Sequence, residues 1–208
     1  MKTKSKALIL ALCAVLLVTA SVFGTMAYLT DNKKVTNTFT VGSVAITLDE
    51  AKVDTDGKPV ENANRVTDNT YKLLPGHEYT KDPTIHVDAN SEDCFLFVKV
   101  ENGIAGIEAA NDNVASQMAK NGWKLVTGQT NVYVYVGKTA GATEPLAVEN
   151  GEDFKVFEKI AIAGDTVDSN KLNEYKTAKI TVTAYAVQKD GFEDKTDAQI
   201  WKTAFVNA

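Results

Sequence analysis

About eight short segments rich in Val, Thr, Ile and aromatic residues, separated by polar stretches with Asn-Gly and Asp-Gly pairs, limit this chain to a β architecture. Those pairs favour tight turns because the central turn positions need positive φ. Residues 94–100 are apolar on both parities up to Lys99, which predicts a strand in the middle of a sheet. Residues 84–87, 123–126, 131–136, 154–162 and 180–187 also read as strands, with turns at Asp56-Gly57, Leu74-Pro75-Gly76 and Asp190-Gly191. Two helices are expected. One covers residues 109–120 and stops at Asn121-Gly122; the other follows a Thr196/Asp197 cap and presents Ile200, Trp201, Ala204 and Phe205 on one side. There is no βαβ rhythm, no repeat and no linker long enough to split residues 28–208. The expectation is one all-β domain with minor helices, built as an antiparallel sandwich. A composition of 44% hydrophobic and 24% charged residues supplies an ordinary core for it.

The first strand carries a fault. Val35, Asn37, Phe39 and Val41 share one parity, while Val44, Ile46 and Leu48 share the other, and Gly42-Ser43 sits at the change of phase. One extra residue at a glycine is how a β-bulge switches the face that points inward.

Upstream lies a three-part leader. A lysine-bearing start, MKTKSK, precedes an uncharged apolar run over residues 7–23, and the small-residue exit GTMA follows. Cleavage before Tyr28 would place Thr25 and Ala27 at the third-last and last positions of the leader, as signal peptidase requires. Residues 1–27 are therefore expected to be a signal peptide, with membrane contact only before cleavage. Leu12 before Cys13 excludes a lipoprotein site, and no cell-wall sorting motif is present, so export without a covalent anchor is expected. Removing Lys2, Lys4 and Lys6 from the 22 basic residues leaves 19 against 27 acidic ones. So acidic a body excludes nucleic acid as a partner.

Sites of chemistry are sparse. His77-Glu78 opens like a HExxH zinc motif, but Lys81 stands at the fifth position and Pro75-Gly76 and Pro83 forbid the helix the motif needs. His77, Glu78 and His86 remain the weak candidates for an opportunistic metal. Asp54 to Gly57 (DTDG) echoes a calcium loop, but Lys52 and Ala63 occupy positions that need ligands. No serine lies in a nucleophile elbow. Cys94 falls in the buried strand and is expected to be inert, and the aromatic residues at 132–136 are expected to pack a sheet. No cofactor, metal or catalytic residue is expected. A first strand next to a flexible polar lead can pair within its own sheet or fill a sheet edge in another copy, and the residues alone leave both open.

GTMAYLTDNKKVTNTFTVGSVAITLDE resembles the N-terminal signature of the TasA/camelysin superfamily, Gram-positive exported proteins whose signal peptides are cut by the SipW peptidase. LLPGHEYTKDPTIHV and ITVTAYAVQKDGF…IW are similar to a clostridial-type branch of alternate signal-mediated exported proteins. The resemblance implies a jelly-roll-like sandwich and a secreted, cell-surface-associated subunit of extracellular fibres or biofilm matrix, with possible matrix or surface partners. It also implies self-association by donation of the mature N-terminal strand. Carried onto this chain, the donor is residues 28–48, with Val35, Phe39, Val41, Gly42, Val44, Ile46 and Leu48 making the assembly contacts. A monomeric secreted module binding a protein or glycan is the alternative; a camelysin-like metallopeptidase is the least favoured.

Overall fold

The computed structural model describes residue 6, residues 12–17 and residues 42–205. The chain divides into two units, Met1–Val41 and Gly42–Ala208. In the first, residues 12–17 are helical and exposed. Among the described residues no helix is long and apolar enough to cross a membrane.

The second unit is mostly antiparallel β-sheet with a few short helices, as the turn-rich alternation predicts. Its strands are β1 (Ile46–Asp49), β2 (Glu78–Thr80), β3 (Thr84–Val87), β4 (Cys94–Asn102), β5 (Trp123–Leu125), β6 (Val132–Tyr135), β7 (Ala147–Val148), β8 (Asp153–Lys155), β9 (Lys159–Ala161) and β10 (Ile180–Gln188). Helices α1 (Val114–Lys120), α2 (Ser169–Glu174) and α3 (Asp197–Ala204) and a 3-10 turn at Ala105–Ile107 are the other elements among the described residues. One sheet runs β1-β3-β8 and a second runs β10-β4-β6-β5, with β7 also on β4; β2 and β9 form a two-stranded ribbon.

β4 is the centre of the molecule. Leu96 and Val98 point into the space between the two larger sheets, where they meet Ile85, Val87 and Phe154 of the opposite sheet. Phe95 and Phe97 point the other way, against Ile200 and Trp201 of α3. Burial on both faces is why this run is apolar on both parities. Tyr133 and Tyr135 turn toward the inter-sheet core while Val132 and Val134 turn toward α3, and Tyr135 makes edge contacts with Trp123 and Phe154. The α3 cap is as expected: Thr196 accepts from Gln199 N and the Gln199 side chain accepts from Thr196 N.

Three expectations need correction. The first helix is shorter than residues 109–120, because Asn113 caps it by accepting from Ser116 N and residues 109–112 are held as a turn. Residues 154–162 form two strands in different sheets. Consecutive Val156 and Phe157 are both buried, which no half-exposed strand allows, so the chain bends there. The buried Gln117 of α1 supports the bend by accepting from Glu158 N and Lys159 N and donating to Lys159 O. Third, of the strand expected over residues 35–48, the part before Gly42 lies outside the described residues, and within the described part β1 begins at Ile46. Residues 42–45 are not strand, although Val44, Ile46 and Leu48 do share the core-facing parity. α2, β2 and β7 carry too few apolar residues to have been visible in the sequence.

Phe97 is fully buried and its ring lies 5.7 Å from those of Trp201 and Phe205. Phe97→Ala is expected to destabilise the domain by about 3–5 kcal/mol, measured by urea unfolding. A loss below about 1 kcal/mol would show that α3 does not seal this core.

Candidate functional site

The alternation of ladder bonds shows which backbone groups of β10 point away from β4. Gly103 N donates to Lys179 O and Lys189 N donates to Asp93 O, so the odd-numbered residues between them bond to β4. The N–H and C=O groups of Ile180, Val182, Ala184, Ala186 and Gln188 therefore face away from β4, where no described strand pairs with them. β1 has the same condition on a smaller scale. Asp88 N donates to Ala45 O, which places the backbone groups of Ile46 and Leu48 on the side away from β3.

These two open edges lie close together on one side of the sandwich. Val44, Ile46 and Leu48 from one and Val182, Ala184 and Ala186 from the other pack on the inter-sheet core but stay partly exposed, whereas Ile85, Leu96 and Val98 are completely covered. Among the described residues the partly exposed members of this core gather along this seam and, on the β6 side, at Tyr133 and Tyr135. At one end a cavity of ≈ 680 Å³ opens among Glu50, Tyr71, Leu73, Tyr175, Ile180 and Thr181. β10 has none of the devices that keep sheet edges from pairing: its sequence, ITVTAYAVQ, holds no charge and no proline. The opposite edge strand, β5, is only three residues long and its Lys124 is paired with the buried Asp197 of α3.

β1 is pinned by its neighbours. His86 on β3 stands between two carboxylates, with Nε2 2.9 Å from Asp49 Oδ1 on β1 and Nδ1 2.6 Å from Asp153 Oδ1 on β8. Arg65 completes the cluster with bonds to Asp49, Asp82 and Thr84. Partial burial pulls the His86 pKa down, but the hydrogen bonds to Asp49 and Asp153 prevail and raise it above the ordinary histidine value. The Asp49 carboxyl is lowered: burial raises it, and bonds to Arg65 and His86 more than offset that.

His77, Glu78 and His86 are not assembled into one centre. Glu78 pairs with Lys159 at 2.9 Å on the β2–β9 ribbon, while His86 is engaged on the β1-β3-β8 sheet. Among the described residues no three His, Cys, Asp or Glu side chains are grouped to hold a metal ion. The Asp54–Gly57 stretch is a turn in which Asp54 Oδ1 accepts from Asp56 N and Lys58 N; Gly57 adopts φ +78° and packs so tightly on Tyr79 that no side chain fits. The Cys94 thiol is buried, and burial together with Asp93 pushes its pKa up to about 11, which leaves it unreactive.

Of the expected assembly residues, Gly42 approaches Glu92 so closely that a Cβ would meet its side chain at 2.8 Å. Ile46 and Leu48 lie in β1 of their own domain, and Val44 just before it. Thr25, Ala27, Tyr28, Val35, Phe39 and Val41 lie outside the described residues. Asp49, Arg65 and Asp153 were not foreseen; they come together from separate parts of the chain, and no local motif signals them.

Protonated His86 holds β1 to β8, and its raised pKa means this stabilisation is complete below the unfolded histidine value of about 6.5 and is lost as pH rises through the folded value. Wild type is therefore expected to exceed His86→Gln in urea midpoint most near pH 6, with the gap narrowing toward about pH 9. A gap independent of pH would show that His86 acts through packing alone. No family model matches the chain, and no curated protein matches it.

Proposed function

We propose that the protein is an exported structural subunit of extracellular fibres or surface matrix, and that copies join by placing the segment ahead of Gly42 from one molecule into the β1/β10 seam of another. The observation that carries this is the uncharged, proline-free, nine-residue edge of β10 beside core side chains that stay partly exposed along the same line. Added strands gain affinity from backbone bonds and specificity from side chains entering alternate pockets. The occupant is argued from the chain's own sequence. Val35, Asn37, Phe39 and Val41 form an alternating face whose apolar members can cover the seam, and the described domain begins at Gly42, beside β1.

Fourteen residues, 28–41, lie between the expected cleavage point and the domain. Extended, they span roughly 45 Å, against roughly 30 Å for the nine residues of β10. The donor is thus narrower than residues 28–48, since Ile46 and Leu48 already occupy β1. In this scheme the fold is the jelly roll of the superfamily the sequence resembles, and a SipW-type peptidase frees the donor by cutting before Tyr28. Each subunit gives one strand and accepts one, a head-to-tail contact that propagates into filaments unless its rotation closes a ring.

Two variants of the mature protein test the scheme, read by electron microscopy and size-exclusion chromatography. Deleting residues 28–41 removes the donor. Ala184→Pro removes an N–H that faces the open edge and leaves the β4 ladder intact. Wild type is expected to form filaments or an oligomer ladder, each variant alone to stay a folded monomer, and the two variants mixed to pair one-to-one without forming filaments, because each retains only the half the other lacks. Normal filaments from both variants would overturn the proposal; a strictly monomeric wild type would favour a surface-binding module.

A further inference from the structure

Glu50, immediately after β1, is 4% exposed and touches two side chains of opposite chemical character. Its Oε2 accepts from Lys81 Nζ at 2.6 Å and its Oε1 accepts from Asn69 Nδ2 at 3.0 Å. The Asn69 amide is held in one orientation. Its Oδ1 accepts from Val53 N at 3.0 Å, and its Nδ2 also donates to Ala51 O at 2.8 Å. The Lys81 ammonium lies 5.9 Å from the centroid of the half-buried Tyr71 ring. Glu50 itself is fixed by reciprocal backbone bonds with Val66, both 2.8 Å. An amine, a carboxamide and a buried carboxylate that accepts from the nitrogens of both are the components of an amide-transfer reaction. As a structural device the trio is poor, because burying a charged pair costs desolvation that its attraction repays only in part.

We propose that Lys81 and Asn69 join covalently through a side-chain amide bond, with Glu50 carrying the protons. Glu50 takes a proton from the Lys81 ammonium, and the neutral Nζ attacks Cγ of Asn69. Negative charge collects on Oδ1, where the Val53 N–H already donates. Glu50 gives its proton to Nδ2, the Cγ–Nδ2 bond breaks, and ammonia leaves. Glu50 then removes the remaining extra proton from Nζ and passes it to the departing ammonia. One Nζ–Cγ bond forms, one Cγ–Nδ2 bond breaks, ammonium is released, and nothing is oxidised or reduced. Glu50 contributes as a general acid–base whose position between the two partners is set by the fold. The bond would tie the polar segment after β1 to the approach of β3. In a chain whose second cysteine, Cys13, lies in the apolar leader, it would provide the cross-link that a disulfide provides elsewhere.

The test is the intact mass of the folded mature protein, followed by sequencing of its peptides by tandem mass spectrometry. The mass is expected to fall short of the sequence value by one ammonia, with a branched peptide joining Asn69 to Lys81. Lys81→Arg, Asn69→Ala and Glu50→Gln should each restore the full mass, after allowing for the substitution, while circular dichroism shows them folded. Succinimide formation at Asn102-Gly103, Asn121-Gly122 or Asn150-Gly151 would lose the same mass but would persist in Lys81→Arg. A full-mass wild type, or a deficit that survives Lys81→Arg, overturns the proposal.

Discussion

β4 has to satisfy two cores at once, and the placement of nearly everything else follows from that. Its nine residues pair with β10 along their whole length on one side and with β6 and β7 on the other. With backbone groups engaged on both sides and side chains buried on both faces, residues 95–98 of the strand can accept no polar substitution without leaving an unsatisfied group. Covering its two faces requires the β1-β3-β8 sheet on one and α3 on the other. The Thr196–Gln199 capping box and the Asp197 bonds to Lys124 and Thr127 serve the second requirement by holding α3 against the sheet.

The edges of that sheet are treated unequally. β5 is cut short and tied by an ion pair to α3, whereas β10 runs nine residues with an outer side that no described strand pairs and an apolar lining that stays partly exposed. A monomer that had only to remain soluble would pay for an unprotected edge with a tendency to aggregate. An assembling subunit uses the same edge as its acceptor. β1, the other border of the seam, is by contrast restrained through His86, Asp49 and Asp153, so in the proposed scheme the acceptor is bordered by a strand that is anchored to its own sheet.

Legibility followed locality. β4 was visible as a run apolar on both parities, β3 and β10 as compact β-rich runs, and α3 by a cap and a helical stripe within eleven residues. In the 154–162 segment Val156 and Phe157 look like strand residues, yet the chain bends there because Gln117, some forty positions earlier, offers the hydrogen bonds that the turned backbone needs. The 109–120 helix was overextended because Ala109 and Ala110 are good helix formers, while Ala109 N is instead taken by Ala161 O. Tertiary hydrogen bonds override propensity in both places.

By itself, then, the sequence determined the β class, the turns, the central strand, the docking helix and the acidic balance of the body. These follow from side-chain periodicity and turn chemistry, which act over a few residues. Only the tertiary structure decided that β1 and β10 border an open seam, that His86 lies between Asp49 and Asp153, and that Glu50 touches both Asn69 and Lys81. Each of these depends on which strands become neighbours, and that is set by the requirement to bury both faces of β4 and is not encoded in any local pattern.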